Sequence, residues 1–253
     1  MSIYVYCLSD ELNAEMVEGL DGLSGVQVRL LSCGGVASVV SDYGDARVAA
    51  TAENVRAHNS VNARLLARAT PLPFRFGTVI GEERLADYVA RHEGSIRATL
   101  ERVRGCVEMS VKVLWDAAAA RIQVEAEHDS GRGDTERESA GPVAHADEGA
   151  GAQGQGTAFL LARRRELLGG EALRRRAEEV AAWLAVRVSG LARESSVILN
   201  PSGSLVVRAE YLVEKEHVPA YQGRVRGLGA ERPDLRFLTS GAWPPYSFSN
   251  LRD

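Results

Sequence analysis

Apolar residues along this chain recur with two periods, near two and near three to four, and the switches between them mark out the elements. Ile3 to Leu8 is an almost unbroken apolar run, short enough for a buried strand. Asp10 can cap a helix that ends by Gly19. Val26–Leu31 and Val36–Val40 flank Ser32-Cys33-Gly34-Gly35, whose glycines suit a tight turn, so a hairpin is predicted. Thr51 opens a helix with Val55, His58, Val61, Leu65 and Ala69 at helical spacing. Pro71 and Pro73 stop it and force extended backbone through Phe74-Arg75-Phe76. A further helix from about Gly81 carries Leu85, Val89, His92, Ile96, Leu100 and Val103 on one face, and Gly105 sits at its C′ position.

A new unit begins there. Val107 to Trp115 alternates as a strand does. Residues 125–157 then lack Leu, Ile, Met and aromatics, and Glu, Asp, Gly, Ser and Gln dominate. Such a stretch buries too little surface to offset its ordering entropy, so a disordered acidic insertion within a domain is predicted. Phe159 to Leu191 is helical in period, with Leu173, Ala177, Val180, Leu184, Val188 and Leu191 as its stripe; Gly169-Gly170 predicts a bend or break. Val197–Leu199 and Leu205–Val213 form a second hairpin across Asn200 to Gly203. Pro219 suits the first turn of a helix reaching about Gly229, and Leu235–Thr239 is the last strand.

The second half therefore reads β-α-β-β-α-β, the ferredoxin-like order, and the first half reads as a related arrangement with an added helix. The fold class is α+β in two domains. Residues 1–105 make the N-terminal domain. Residues 106–253 make a ferredoxin-like C-terminal domain, with the insertion at 125–157 and a C-terminal strap at 241–253.

Composition narrows the function. No apolar run approaches the ~18–20 residues of a membrane span, and the start of the chain carries no secretory pattern, so a cytoplasmic protein is expected. Cys7, Cys33 and Cys106 are widely spaced and read as reduced core thiols. Net charge is −4, of which residues 125–157, with eight acidic side chains and two arginines, supply −6. The remainder is close to neutral, which gives no footing for nucleic acid.

Catalytic motifs are absent: no phosphate-cradling glycine loop follows a strand, and no HExxH or GxSxG occurs. His58 and His92 fall on apolar helix faces and read as core histidines bonded to a carboxyl or carbonyl. No further ligands accompany them at metal spacing. Glu108 and Lys112 lie on one sheet face and read as a surface ion pair. An RNA-binding sheet would need exposed aromatics on its central strands, and Trp115 and Tyr211 are too few. No cofactor, metal or small-molecule substrate is expected, and the chain reads as no enzyme. A ligand-binding regulatory protein built on ferredoxin-like domains is the alternative, with an enzyme of unrecognised type behind it.

Partner contact is therefore the expected mode of action. In Phe74-Arg75-Phe76 strand geometry would put both rings on one face and Arg75 on the other, so this strip either ties to the core or forms a docking edge. At the end of the chain, Gly241-Ala242-Trp243-Pro244-Pro245-Tyr246-Ser247-Phe248 sets three aromatics around a diproline. Two fixed φ angles hold the segment extended with little entropy left to lose. Trp243, Pro244, Pro245, Tyr246 and Phe248 are expected to close the chain's own core, to anchor a partner, or both. Trp243, nearest the last strand, is assigned to the core; Tyr246 and Phe248 are assigned to binding.

That ending resembles the Gly-Pro-Trp-Pro-Pro-Tyr-x-Phe terminus of the gas vesicle GvpF/GvpL family. Tyr4-Val5-Tyr6, Leu72-Pro73-Phe74-Arg75-Phe76-Gly77-Thr78-Val79, the Gly105–Lys112 pattern and Ala209-Glu210-Tyr211-Leu212-Val213 are similar to family signatures in the same order. Cys7 stands where a glycine usually follows Tyr-Val-Tyr, and Ala242 replaces the first proline of the ending. The resemblance implies two α+β domains and a minor gas vesicle component or accessory assembly factor. It implies binding to the small hydrophobic major shell subunit, and to other minor gas vesicle proteins, in nucleating or extending the vesicle wall.

Overall fold

The computed structural model describes residues 2–116, 153–201, 203–249 and 251. Strand β1 (Ser2–Ser9) is buried from Ile3 onward because it runs through the middle of a sheet that is covered on both faces. Antiparallel to it on one side lies β3 (Val36–Asp42), with β2 (Arg29–Cys33) outside that. On the other side are the short β4 (Leu72–Pro73) and β5 (Val79–Gly81).

Side-chain alternation along β1 sorts its residues between two layers. Ile3, Val5 and Leu8 pack with Leu85, Val89, Ile96 and Leu100 of α3 (Glu82–Val103). Tyr4 and Tyr6 face Val17 of α1 (Ala14–Val17) and Val61 and Leu65 of α2 (Ala52–Leu66). A bulge between Val5 and Cys7 shifts the register on β3 and puts Cys7 with the tyrosines. The continuous apolar run in the sequence is the signature of this two-sided burial.

Helix ends follow the local chemistry. The Thr51 hydroxyl accepts from Asn54 N–H at 3.2 Å and caps α2. The helix expected from Asp10 to Gly19 is shorter: α1 is one turn, capped by Asn13. Asp10 is instead taken by Arg104, at 2.8 Å.

In the second half β6 (Cys106–Leu114) lies between β8 (Leu205–Glu214) and β9 (Arg236–Trp243), with β7 (Glu194–Leu199) outside β8, all antiparallel. Helices α4 (Gln153–Val188) and α5 (Val218–Glu231) cover one face. Leu173, Ala177, Val180, Leu184 and Val188 of α4, and Tyr221, Val225 and Leu228 of α5, meet Val107, Met109, Val111 and Val113 of β6. Gly169-Gly170 lies inside an unbroken α4. The cost of two helical glycines, about 1 kcal/mol each, is met by the apolar stripe that follows them. Of the insertion expected at 125–157, residues 125–152 lie outside the described residues, whereas 153–157 already belong to α4.

The elements of this half run β-α-β-β-α-β, and its strands lie in the order second, third, first, fourth. The main path of the first sheet, β2-β3-β1-β4, repeats that order. The two halves meet closely. Lys215 Nζ donates to the carbonyls of Leu66 and Ala69, at 2.7 and 3.1 Å, closing the C-terminus of α2 from the other half. Gly105 N–H donates to the Thr70 hydroxyl at 2.9 Å.

Candidate functional site

The strap lies across this junction. Strand β9 runs on past Thr239 to Trp243, and a register shift opposite Glu108–Ser110 takes up the extra length. Gly241 stands at the shift with φ +125°, and a Cβ there would sit 2.8 Å from the Glu108 carbonyl oxygen. Only glycine lets the two strands approach this closely.

Pro244 and Pro245 are buried, and a single 3₁₀ turn, Tyr246–Phe248, follows. Phe248 is 4% exposed and packs in the layer containing α3, with Leu212 and Cys106 of the second half. Trp243 is 42% exposed, and its indole N–H donates to the Ser240 hydroxyl at 3.3 Å. The expected division of roles is thus reversed. Trp243 stays outside because it still belongs to an edge strand, whereas the diproline turns the following residues inward.

Glu108 and Arg102 hold this turn. The Glu108 carboxylate accepts from Ser247 N–H at 2.7 Å and from the Ser247 hydroxyl at 3.1 Å. It is buried, and burial raises its pKa against the opposing pull of those two hydrogen bonds. It makes no surface pair with Lys112, because Ser247 lies over it. Arg102, in the last turn of α3, donates to the Phe248 carbonyl at 2.7 Å and pairs with Glu194 at 2.6 Å.

Tyr246 reaches the first half. Its hydroxyl lies 3.0 Å from His58 Nε2 and 3.3 Å from Asn59 Oδ1, and accepts from Asn62 Nδ2 at 3.3 Å. On the other side of the ring, His58 Nδ1 is 2.8 Å from the Tyr4 hydroxyl, which accepts from Gly77 N–H at 3.2 Å. Asn62 Nδ2 lies 3.2 Å from the same Nε2 and donates to the His58 carbonyl at 3.2 Å.

His58 is 1% exposed, and burial lowers its pKa to about 4, so the ring is neutral near pH 7. Burial likewise raises the hydroxyls of Tyr4 and Tyr246 well above the usual range. The sequence placed His58 in a core with a carboxyl or carbonyl as side-chain partner, and a backbone hydrogen bond at Phe74, which opposes the lowering of the pKa, fills that role. Two tyrosine hydroxyls from opposite ends of the chain join it. Tyr-Val-Tyr in β1 and Tyr246 in the strap were each visible as motifs; their shared histidine was not.

Phe74-Arg75-Phe76 is no strand. β4 ends at Pro73, and the chain turns through Gly77. The rings consequently separate: Phe74 enters the α3 layer near Tyr88, at 6.2 Å between centroids, and Phe76 packs by His58 and Tyr4, at 5.9 and 6.4 Å. Arg75 is exposed between them. His92 is exposed too, with Nδ1 at 2.8 Å from the Tyr88 carbonyl, and it does not join His58.

Both ring nitrogens of His58 lie within hydrogen-bond distance of a tyrosine hydroxyl. The cysteine thiols are buried, and burial raises each pKa. Among the described residues, Glu214, Glu216 and His217 could approach a common ion, but Glu214 is already paired with Arg193 at 2.7 Å. Trp115 and Tyr211 are buried, so neither offers a stacking surface for bases.

Comparison with known proteins agrees over the full length. The family described as gas vesicle synthesis protein GvpL/GvpF matches residues 2–250. Gas vesicle protein L of Streptomyces sp. (strain CB03234) is 28% identical over 273 aligned positions, covering 99% of this chain and 93% of the relative. Gas vesicle protein L2 of Halobacterium salinarum is 27% identical, covering 97% and 90%. The crystal structure of the gas vesicle protein GvpF from Anabaena sp. PCC7120 superposes with a TM-score of 0.76 over 100% of this chain and 97% of that one, at 20% identity.

Proposed function

Because the chain belongs to the gas vesicle synthesis protein GvpL/GvpF family, we propose that it is a non-enzymatic accessory or minor structural protein of the gas vesicle. In this reading it binds the small hydrophobic shell subunit and supports nucleation or growth of the wall, in company with other minor gas vesicle proteins. The observation that carries the reading is the family match, which spans both sheets and the strap. The bond from His58 to Tyr246, which ties the strap to the first half, supports a role in contact. Among the described residues no helix is long and apolar enough to cross a membrane.

Residues 1–105 and 106–253 act as two domains, the second ferredoxin-like, welded by the strap. A welded pair offers a rigid surface, and rigidity lowers the entropic cost of capturing a flexible apolar partner. Trp243 is the aromatic of the strap that remains available for such capture.

The test is co-expression of the tagged chain with the shell subunit, followed by affinity capture. The shell subunit should co-purify with the chain. Failure to recover it, together with normal vesicle formation in cells lacking the chain, overturns the proposal.

A further inference from the structure

The sheet of the second half has two edges, each with a single charge at its first residue and exposed apolar side chains beyond it, and the β9 edge also borders a groove. β7 opens on Glu194, whose carboxylate is tied to Arg102 of α3. β9 carries no charged residue from Phe237 to Trp243, and almost every position is exposed. Sheet edges are ordinarily guarded by charge, proline or an overlying element, since free N–H and C=O groups invite another strand. Among the described residues β9 pairs with β6 along one side and has no strand on the other.

Along the helix-covered face of this edge, between α5 and β9, runs a groove of about 500 Å³. Met109, Val225, Leu235 and Phe237 supply its apolar side, and Gln222, Arg226 and Thr239 its polar side. On the opposite face Leu238 and Trp243 are 51% and 42% exposed. Among the described residues an open backbone edge therefore lies between a groove of mixed polarity and an apolar pair. Successive side chains of a strand point to opposite faces, so a strand laid on β9 places alternate residues in the groove and beside Leu238.

We propose that β9 accepts an extended segment of a partner polypeptide as a fifth strand of this sheet. Charge defines the segment further. Arg236 opens β9 and Arg226 lines the groove, and neither has a salt bridge among the described residues. The matching occupant is apolar at alternate positions and carries a carboxylate toward the Arg236 end. A second copy of this chain would bring no acid on its own β9 to meet these arginines. The inference rests on the proposed function for the partner's identity, the shell subunit, and adds the surface and the mode of contact.

Two substitutions test it in the full chain co-expressed with the shell subunit. A Cβ at Gly229 meets nothing within 4 Å, so Gly229→Leu fills the groove without strain. Leu238→Lys charges the exposed face of the edge. Both variants should melt as the unaltered chain does and capture at least ~10-fold less shell subunit. Backbone amides of residues 238–242 should exchange more slowly in the unaltered complex than in the free chain. Undiminished capture by both variants, or unchanged exchange along β9 while capture persists, overturns the docking mode and leaves the proposed function standing. No capture by the unaltered chain overturns the docking mode and, together with normal vesicle formation in cells lacking the chain, the proposed function as well. A dimer of the chain alone that Leu238→Lys dissociates assigns the edge to a second copy instead, and overturns the partner strand.

Discussion

Stability below neutral pH should depend on His58. The neutral ring is fully buried between Tyr4 and Tyr246, and its pKa falls from 6.5 to about 4 on folding. Between those values the unfolded chain binds a proton that the folded chain refuses, so stability rises with pH there and is flat above. Two and a half pKa units correspond to about 3 kcal/mol, of which about 2.5 kcal/mol is lost by about pH 4.5. The assay is urea unfolding at several pH values from about 7.5 to 4.5, for the unaltered chain and for His58→Gln, which cannot titrate.

Subtracting the two stability curves removes the contributions common to both. Glu108 is the neighbour that matters most, because its raised pKa acts with the opposite sign. Its stabilising contribution is present at low pH and is lost as pH rises through the folded value. Since Glu108 touches Ser247 and not His58, it is retained in the variant and cancels. The difference should shrink by about 2–3 kcal/mol toward low pH. A difference that stays constant across the range refutes the burial of a neutral imidazole. A difference that grows toward low pH shows that His58 is held charged.

Phe248→Ala should cost about 3–5 kcal/mol, because the ring is buried among both halves. For a chain of this size that lowers Tm by roughly 6–20 °C in a thermal melt. Trp243→Ala should leave Tm within about 2 °C and weaken shell-subunit capture ~10-fold, and equal destabilisation at both positions refutes the assignment. Gly241→Ala should destabilise by about 1–3 kcal/mol, since φ is +125° and the new Cβ would crowd the Glu108 carbonyl, whereas Gly229→Ala should be neutral or stabilising. Replacing residues 125–152 by a short Gly/Ser linker should leave Tm nearly unchanged, because loop-closure entropy varies slowly with length; a fall of more than about 5 °C refutes this.

Most elements were legible because each is specified locally. Thr51 caps α2, proline opens α5 one residue inside its start, and the stripe from Leu173 to Val188 meets the sheet along its whole length. Local signals failed where a distant residue competed for the same group. Asp10 was a plausible cap until Arg104 claimed it. Glu108 was a plausible surface acid until the strap, far along the chain, folded over it. The strap itself was recognised as a unit, but its inward and outward residues were exchanged. Their sorting depends on how far β9 runs before the diproline, and the register shift at Gly241 that sets this length has no periodic signature.

The same register decides where a partner can be met. Tyr246 and Phe248 are committed internally, the first to His58 and Asn59 and the second to a core shared by both halves. In the proposed reading the binding surface of the strap lies before the diproline, on residues that β9 still holds at the sheet edge. Trp243 is the last of these, and Leu238, Ser240 and the groove beside α5 continue the same surface. An aromatic fixed by strand pairing at one end and by a buried diproline at the other has little freedom to lose on contact. Binding through it should therefore be limited by the ordering of the partner and not of this chain. Loosening the strap at a distance, as Tyr246→Phe would by removing the bond to His58, should weaken capture through Trp243 by a factor of about 3–10 while altering no residue of the edge, on the ~1 kcal/mol net worth of a hydrogen bond. Capture unchanged by Tyr246→Phe, with Tm lowered by the lost bond, would show that the weld serves the fold alone.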